Sequence, residues 1–483
     1  MLCIMAEKEK DFVKEIADMD ADFPQWYTDV ILKTQLCDYG PVKGTMVMRP
    51  YGYAIWELIQ KQLDDRIKAT GHKNAYFPLF IPESFLKREA EHVEGFAPEV
   101  ALVTHVGKEK LAENLVVRPT SETIICEMYS KWVQSWRDLP VLINQWANIV
   151  RWEKTTRPFL RTSEFLWQEG HTVHATPEEA QEETIKMLNV YKEFTGSVLA
   201  MPVLIGQKSA KEKFAGAEAT YSMEAMMLDG KSLQAGTSHN LGDRFAKPFN
   251  IKFLDKDGTH KYAYQTSWGV TTRLIGALIM VHGDQRGLVL PPAVAPVQAI
   301  IIPIAAFKPG VNEKAAEINK SLLKAGIRAE TDSRDFSPGW KFNEWEMKGV
   351  PVRVEIGPRD IEAGVAQIMR RDTMEKKAVP LASLAQEIKK LLKTVQKDMF
   401  KKAERFMQSH IVKVKNLDEM EQAVNGRNFA LASWCGQRAC EDAVKERMQA
   451  TSRNMPFKGK LVTKTCACCG KAAVTSMYFA RAY

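Results

Sequence analysis

The chain has 483 residues, of which 45% are apolar and 26% are charged, and its formal net charge is +8 at pH 7. This composition excludes a disordered, collagen-like or coiled-coil protein, and the length favours roughly three domains. The positive charge permits a polyanionic partner such as a nucleic acid but does not require one.

Near the N-terminus, Tyr39-Gly40 and Met48-Arg-Pro50 precede a predicted helix that carries Trp56, Ile59 and Leu63 on one face. This pattern resembles motif 1 of class II aminoacyl-tRNA synthetases, whose helix, strand and proline build a dimer interface. The first sixteen residues have no apolar run of signal-peptide length, which indicates a cytoplasmic protein.

Two predicted strands, at 149–153 and 164–173, flank a polar loop at 154–162. This strand-loop-strand unit resembles motif 2 of the same enzymes. An arginine on a rigid strand, Arg151, can hold the α-phosphate of ATP and neutralise its charge during nucleophilic attack. Glu153 lies two residues further on and therefore on the same face of the strand, where it can accept from the adenine amino group.

A capping box at Thr176-Pro-Glu-Glu179 begins a helix that is predicted to run to about Phe194, and a strand is predicted at 203–206. The run Lys208-Ser-Ala-Lys211 that follows is predicted to be a solvated surface loop. The chain contains no sequence pattern of a P-loop, a dinucleotide-binding turn, a nucleophile elbow or a zinc-protease helix, so these classes of site are excluded.

The run Ser267-Trp-Gly-Val-Thr-Thr-Arg273 leads into a predicted apolar helix at 274–281 and resembles motif 3. In that motif a glycine-bearing strand leads into a helix whose arginine clamps the γ-phosphate. Arg273 stands at the base of an apolar helix and needs a partner if it is buried, and a triphosphate supplies one.

An uncharged stretch between Arg286 and Lys308 is long enough to suggest a membrane span. It contains four prolines, which would break a spanning helix. We therefore predict two buried strands there, at 288–290 and 297–304, and no membrane insertion.

The segment that follows is predicted to form an α/β unit with the element order β-α-β-α-β-β-α. Its predicted elements are strand 297–304, helix 311–325, strand 327–331, helix 338–347, strands 350–356 and 365–369, and a long helix from Ser383. The long helix carries apolar residues at three- and four-residue spacing, which is typical of a buried stripe. The alternation of apolar residues along 350–356 predicts that Arg353 and Glu355 share an exposed face.

Five of the eight cysteines lie in the last tenth of the chain. Cys435 and Cys440 form one pair, Cys466 and Cys469 form another, and 25 residues separate the two pairs. Disulfides are not expected in a reducing compartment. Two such pairs favour a tetrahedral structural Zn²⁺ site over reduced cysteines packed in a core, with Cys468 as a spare thiol.

Further runs extend the resemblance beyond the three motifs. They are Arg118-Pro-Thr-Ser-Glu122, Phe159-Leu-Arg-Thr162, Phe165-Leu-Trp-Gln-Glu-Gly-His171, Gln234-Ala-Gly-Thr-Ser-His239 and Gly283-Asp-Gln-Arg-Gly-Leu-Val-Leu-Pro-Pro292. Together with the motifs, these runs are similar to the prolyl-tRNA synthetases over essentially the whole chain. The likeness is to the form that lacks an inserted editing domain and carries a C-terminal zinc-type domain.

The resemblance implies an α+β catalytic core built on an antiparallel sheet, an α/β anticodon-binding domain and a small α/β zinc-type domain. We call the corresponding residues 20–290, 297–398 and 400–483 the first, second and third units. The implied reaction is ATP-dependent activation of L-proline to prolyl-adenylate and transfer of the prolyl group to the 3′ end of tRNA(Pro). Mg²⁺ is expected to bridge the phosphates, and a homodimer is expected.

The resemblance also implies roles for individual residues, with Arg151 and Arg273 as the catalytic groups. The expected ATP contacts are Arg151, Glu153, Arg161, Thr162, Gln234, Thr237 and Arg273. The expected proline contacts are Thr120, Glu122, Arg151, Trp167, Glu169, His171, Phe214, His239, Ser267 and Gly269. Thr120 and Glu122 are expected to receive the secondary ammonium of proline. One departure is Ser163, which stands where family members commonly have arginine.

The anticodon is expected to contact Lys348, Arg353 and Glu355, because arginine can read guanine edges bidentately and a proline anticodon is rich in guanine. Other interpretations stay open at this point. The chain could be a threonyl or histidyl enzyme, an inactive paralogue that binds RNA, or a zinc-containing structural protein with a basic face. An inactive paralogue would be expected to lack Arg151 or Arg273, and both are present.

Overall fold

The computed structural model describes residues 16–86 and 99–483. Cys3 and nearly all of the N-terminal segment considered for a signal peptide lie outside these residues. Within the two described ranges, the longest helices are too polar, and the apolar ones too short, to cross a membrane.

An eight-stranded sheet forms the centre of the first unit. Its spatial order is Met455–Pro456, Leu204–Gln207, Ala219–Met226, Ser232–Gly242, Tyr264–Thr271, Glu164–His174, Val141–Val150 and Lys73–Asn74. All neighbouring strands pair antiparallel except the last pair, which is parallel. The antiparallel core predicted from the sequence is therefore confirmed, although its first edge strand comes from the third unit.

Helices cover one face of this sheet. They are Pro50–Ala69, Pro177–Ser197 and Arg273–His282. The helix at 177 begins after Thr176, whose hydroxyl accepts from the Glu179 N–H as the capping pattern predicted. All the apolar residues of Arg273–His282 are buried, as expected for a helix between a sheet and other helices.

Smaller elements complete the first unit. The helices are Phe23–Lys33, Glu122–Trp132, Trp136–Asp138 and Ala246–Phe249. The paired strands are Cys37–Tyr39 with Met46–Met48, Phe80–Pro82 and Leu102–Val106 with Glu109–Val117, and Lys252–Leu254 with His260–Tyr262.

Two strand predictions in the first unit were wrong in part. The strand predicted at 149–153 ends at Val150, so Arg151 and Glu153 follow the strand and do not share one of its faces. The strand predicted at 288–290 does not form. Instead, the N–H groups of Leu288 and Leu290 donate hydrogen bonds to the carbonyls of Met347 and Gly349, in a turn of the second unit.

The second unit is built on a five-stranded sheet in the order Ala329–Thr331, Ala299–Pro303, Val352–Ile356, Val365–Arg370 and Lys376–Pro380. Its helices are Val311–Lys324, Pro338–Met347, Pro358–Glu362 and Leu384–Ser409. The predicted α/β order is confirmed, but the sequence interpretation missed the edge strand that begins with two exposed lysines and the short helix at 358.

The helix Leu384–Ser409 carries the predicted apolar stripe, and Leu384, Ile388, Leu391, Val395 and Met399 are all buried. The sequence analysis placed a domain boundary at 398–400, which is in the middle of this helix. A continuous helix, and no linker, therefore joins the second unit to the third.

The third unit has a four-stranded sheet in the order Ile411–Val414, Phe429–Trp434, Thr475–Ala480 and Thr451–Ser452. Its helices are Leu417–Asn425 and Arg438–Met448. The chain end joins the first unit, because the Tyr483 N–H donates to the Ser232 carbonyl.

A buried ion cluster fixes the third unit to the first. Glu224 is fully buried, and its two oxygens accept from Lys208 Nζ at 2.9 Å and from Arg453 at 2.9 and 3.0 Å. Ser222 and Ser232 donate to the same carboxylate at 2.8 Å. The prediction of a solvated loop at Lys208 was therefore wrong, since residues of the third unit cover it.

Burial disfavours the charged form of Glu224, but Lys208 and Arg453 outweigh this effect and lower its pKa to about 2. A pKa below the ordinary value of 4.5 means that the carboxylate contributes stability above about pH 4.5. This contribution is lost as the pH falls from 4.5 towards 2. The junction between the units is therefore sensitive to acid.

We expect Glu224→Gln to lower the free energy of unfolding by about 3–5 kcal/mol at pH 7, because two buried cations lose their counter-charge. The difference in the free energy of unfolding between the variant and the wild type should become smaller below pH 4.5. Urea denaturation at several pH values measures this free energy. Glu421→Gln is the matched control, since Glu421 meets Arg447 at the surface and should contribute less than about 1 kcal/mol. Equal losses in both variants would contradict the interpretation.

Candidate active site

A cleft of about 370 Å³ lies against the sheet of the first unit. All sixteen residues predicted from the sequence to contact ATP or proline line it. These residues are Thr120, Glu122, Arg151, Glu153, Arg161, Thr162, Trp167, Glu169, His171, Phe214, Gln234, Thr237, His239, Ser267, Gly269 and Arg273. Five segments that are distant in sequence therefore meet at one place.

The alternation of side chains along the central strands explains this convergence. On Glu164–His174, Trp167, Glu169 and His171 face the cleft. The intervening Gln168 points to the opposite face, where it accepts from the Tyr191 hydroxyl at 2.6 Å. Ser238 likewise donates to a carbonyl of the covering helix Pro177–Ser197, whereas its neighbours on the strand line the cleft.

Arg151 lies at the end of its strand and is oriented by the backbone. Its Nε donates to the Pro119 carbonyl at 2.9 Å. The guanidinium carbon lies 5.8 Å from the Phe165 ring centre and 5.9 Å from that of Trp167, within the range of cation–π attraction. Arg161 from the neighbouring loop pairs with Glu153 at 3.2 Å.

Arg273 is the first residue of its helix, and its guanidinium donates to the Leu160 carbonyl at 3.1 Å and the Gln234 carbonyl at 3.3 Å. In the described part of the chain, neither Arg273 nor Arg151 forms an ion pair with a carboxylate. Burial, and then the charges of Arg151 and Arg161, lower the pKa of Arg273. Three cations without enough counter-charge favour binding of a polyanion.

The other end of the cleft is acidic and centred on Glu169. One of its oxygens accepts from Ser121 Oγ at 2.5 Å and Gln145 Nε2 at 2.7 Å, and the other lies 2.8 Å from His171 Nε2. Burial disfavours the charged form of His171, but the hydrogen bond to Glu169 and the charges of Glu169 and Glu122 together outweigh it and raise the pKa of His171. Both carboxylate oxygens of Glu169 are thus held in place by the protein.

Glu122 lies beside this network and is 6% exposed. The Thr120 hydroxyl donates to its carboxylate. The pair therefore presents one carboxylate and one hydroxyl at the floor of the cleft, which suits a small ammonium group.

Aromatic and neutral polar groups complete the acidic end. Burial lowers the pKa of His239 to about 4, so the ring is neutral at pH 7. Its Nδ1 lies 2.9 Å from Thr220 Oγ1, and its ring centre lies 4.8 Å from that of Phe214. Among the described groups, Trp167 Nε1 and Ser267 Oγ are buried without a hydrogen-bond partner, which is typical of a site that a ligand completes.

The sequence analysis missed several cleft residues, including Phe165, Glu212 and Thr220. Thr220 pairs with His239 across two strands, a register that is visible only in the folded sheet. Glu212 follows the lysine run that was predicted to be a surface loop. Phe165 lies two residues before Trp167 on the same strand and therefore on the same face, and this spacing was the one signal in the sequence that could have placed it in the cleft.

The predicted anticodon residues occupy the second unit, but the predicted exposed face is wrong. Arg353 is 8% exposed and Glu355 is 6% exposed. Arg353 pairs with Glu346 at 2.5 Å and with Glu355 at 2.9 Å, and its guanidinium lies 3.8 Å from the Phe342 ring centre. The helix that carries Phe342 covers this face, and Lys348 pairs with Glu344 at its end.

The four predicted metal ligands lie together in the third unit. The sulfur atoms of Cys435, Cys440, Cys466 and Cys469 all lie within 4.8 Å of one another. The measured sulfur distances of 3.5, 3.7 and 4.0 Å fit the separation of about 3.8 Å that four ligands of a tetrahedral Zn²⁺ require. These residues can therefore hold a zinc ion with no open position.

Comparison with known families places each part of the chain. Residues 105–282 match the family described as "tRNA synthetase class II core domain (G, H, P, S and T)". Residues 298–391 match "Anticodon binding domain", and residues 417–483 match "Prolyl-tRNA synthetase, C-terminal".

Individual proteins are similar over nearly the full length. A "Proline--tRNA ligase" of Alkaliphilus oremlandii is 61% identical over 481 residues, which cover 99% of this chain and 100% of that protein. A "Proline--tRNA ligase 2" of Clostridioides difficile is 58% identical over 481 residues with the same coverage.

A solved structure is also similar, a prolyl-tRNA synthetase from Cryptosporidium parvum complexed with halofuginone and AMPPNP. It superposes with a TM-score of 0.93 at 43% identity and covers 99% of this chain and 98% of its own. The sequence, the cleft and these relatives agree, and the chain belongs to the proline–tRNA ligases, a family of class II aminoacyl-tRNA synthetases.

Proposed function

We propose that the cleft binds ATP and L-proline and is where prolyl-adenylate forms. The proline carboxylate attacks the α-phosphorus, the bond to the bridging oxygen breaks, and pyrophosphate leaves. The terminal ribose hydroxyl of tRNA(Pro) then attacks the acyl carbon and AMP leaves. No protein nucleophile takes part, so catalysis rests on positioning and charge neutralisation. The convergence of sixteen predicted residues on one cleft carries this proposal.

The basic end of the cleft suits the triphosphate. Arg151 would neutralise charge on the α-phosphate as it is attacked, and Arg273 would hold the γ-phosphate. Both guanidinium groups are oriented by backbone carbonyls and leave other N–H groups for a ligand. The remaining proposed nucleotide contacts are Glu153, Arg161, Thr162, Gln234 and Thr237. Mg²⁺ bound with ATP would neutralise phosphate oxygens.

The acidic end of the cleft suits proline. Thr120 and Glu122 would receive the secondary ammonium, and Trp167 and Phe214 would contact the flat apolar ring. The relatives named proline–tRNA ligases favour this amino acid over threonine or histidine. Their names do not assign these contacts, which rest on the geometry of the cleft.

We expect the wild type to catalyse pyrophosphate exchange with proline above all others in a panel of twenty amino acids. Arg151→Ala should reduce that exchange by at least about a hundredfold, since a lost transition-state donor costs about 3–4 kcal/mol. Arg137→Ala is the control, because Arg137 lies over the Trp136 ring outside the cleft. Exchange by Arg151→Ala within about tenfold of the wild type would contradict the proposed role.

We further propose that Arg353, Glu355 and Lys348 contact the anticodon. Arg353 lines a small crevice with Glu346 and Trp345, so its guanidinium is close to the surface although it is mostly buried. A guanine edge there would replace part of the ion pair with Glu346 by a bidentate hydrogen bond.

Arg353→Lys keeps the positive charge but loses the fork that reads guanine. We expect unchanged proline-dependent pyrophosphate exchange and a decrease in the kcat/KM for tRNA of about tenfold, the equivalent of about 1.4 kcal/mol. Arg359→Lys is the control, as Arg359 lies outside the crevice. Equal losses in exchange and in charging would show that Arg353 has a structural role instead.

We propose that Cys435, Cys440, Cys466 and Cys469 hold one structural Zn²⁺ in the cytoplasm, where thiols stay reduced. The ion would tie the end of strand Phe429–Trp434 and the start of helix Arg438–Met448 to the loop at 466–469. Four thiolates leave no position for a water, so the ion would not take part in the reaction.

Cys469→Ser should reduce the zinc content from one ion per chain to less than about 0.2, because three thiolates bind less tightly than four. Cys468→Ser should keep the ion, since its sulfur is outside the set of four. Metal analysis of the untagged protein after zinc-replete expression measures both. Little zinc in the wild type itself would contradict the proposal.

We propose that the first unit ends near residue 290 and that the second and third units share the helix Leu384–Ser409, within which the boundary at 398–400 falls.

We propose that two chains form a homodimer through motif 1. Four large apolar residues there are at least 42% exposed in the single chain, namely Tyr39, Val42, Val47 and Tyr53. Such a patch is typical of an interface. Sedimentation equilibrium would give twice the chain mass for a dimer, and a monomer would contradict this part of the proposal.

A further inference from the structure

The segment 208–218 connects strands Leu204–Gln207 and Ala219–Met226 and brings Glu212 and Phe214 to the cleft. Two of its first side chains contact the third unit. Ser209 Oγ donates to Glu441 Oε1 at 2.6 Å, and Lys211 Nζ lies 2.8 Å from Asp442 Oδ1. The segment that forms this part of the cleft wall is therefore in contact with the third unit near its start.

The contact between Ser209 and Glu441 is buried. Ser209 is 2% exposed and Glu441 is 3% exposed. Ser452 also donates to the same oxygen of Glu441, so the carboxylate is held from its own unit as well. A buried hydrogen bond to a carboxylate is stronger and more directional than one at the surface.

The same serine closes the turn that carries Glu212. The Glu212 N–H lies 3.2 Å from the Ser209 carbonyl and 3.3 Å from its hydroxyl. The Ser209 hydroxyl therefore donates to Glu441 and accepts within the segment at the same time. Movement of Ser209 would displace Glu212 directly.

Phe214, further along the segment, has a second contact, with the first unit. The Phe214 N–H donates to Thr220 Oγ1 at 3.0 Å, and that oxygen lies 2.9 Å from His239 Nδ1. Phe214 also contacts the His239 ring. The segment is therefore held at Ser209 by the third unit and at Phe214 by the first.

We propose that Glu441 is a positioning residue for proline binding, and that it acts by holding Ser209 and so the wall formed by Glu212 and Phe214. This inference rests on the proposed position of proline in the cleft. Arg151 and Arg273 lie on other elements and keep their backbone contacts when the segment loosens. Loss of the contact should therefore weaken proline binding more than it slows the chemical step.

The test uses the full chain and removes each partner separately. Ser209→Ala and Glu441→Ala should each raise the proline KM in pyrophosphate exchange about threefold to tenfold, with kcat within about twofold, as for one lost hydrogen bond. Amide hydrogen exchange at 208–214 should accelerate in both variants. Ser209→Thr keeps the hydroxyl, so its proline KM and its amide hydrogen exchange at 208–214 should equal those of the wild type. The double variant should be no worse than the worse single variant, because both remove the same contact.

Arg447→Ala is the matched control. It removes a charge from the same helix, where Arg447 pairs with Asp418 and Glu421 at the surface. It should leave the proline KM and the exchange at 208–214 unchanged, and zinc content should be equal in all variants. The inference would be overturned if Ser209→Ala had the proline KM and the amide hydrogen exchange of the wild type. It would also be overturned if Arg447→Ala changed both quantities as much as Ser209→Ala does. If Arg151→Ala is still inactive in that case, the cleft assignment stands and only the positioning role fails.

Discussion

Successive side chains on the central antiparallel strands point to opposite faces of the sheet, and helices cover one of those faces. The other face is left open along Glu164–His174, Ser232–Gly242 and Tyr264–Thr271. Residues at every second position therefore gather over the same strip of sheet. A shift of one residue in the pairing of any of these strands would turn its functional side chains towards the helices.

Charged groups are paired at the junction of the units, whereas two arginines of the cleft have no carboxylate partner in the described ranges, and the segment 208–218 lies between these two places. At the junction of units, Glu224 accepts five hydrogen bonds, and its two cationic partners more than offset its charge. In the cleft, Arg151 and Arg273 are held by carbonyls and have no carboxylate partner among the described residues. The first arrangement stabilises the folded chain, whereas the second leaves an electrostatic cost that an anionic substrate relieves.

The cleft could be predicted from the sequence because its residues belong to short motifs that strand register brings together. The residues at unit junctions could not. Ser209 meets a partner 232 positions away, so no local pattern indicated that its loop is buried. Arg353 alternates with valines as an exposed residue would, but a helix with Phe342 lies over it. The alternation predicts which side chains share a face, and it does not predict what covers that face.

The continuous helix Leu384–Ser409 has a mechanical consequence. Its 26 residues form a rod of about 39 Å that belongs to the second unit at one end and to the third at the other. Gln396, near its middle, contacts the first unit through the carbonyls of Ser197 and Val198. It also accepts from the N–H of Ala293, in the segment between the first and second units. Its second half also packs on the first unit, since Ala403 belongs to the core of that unit and Met407 clusters with Met226. A tilt of the second unit would therefore be resisted along half the length of the helix before it reached the seam where Arg453 and Glu441 meet the first unit.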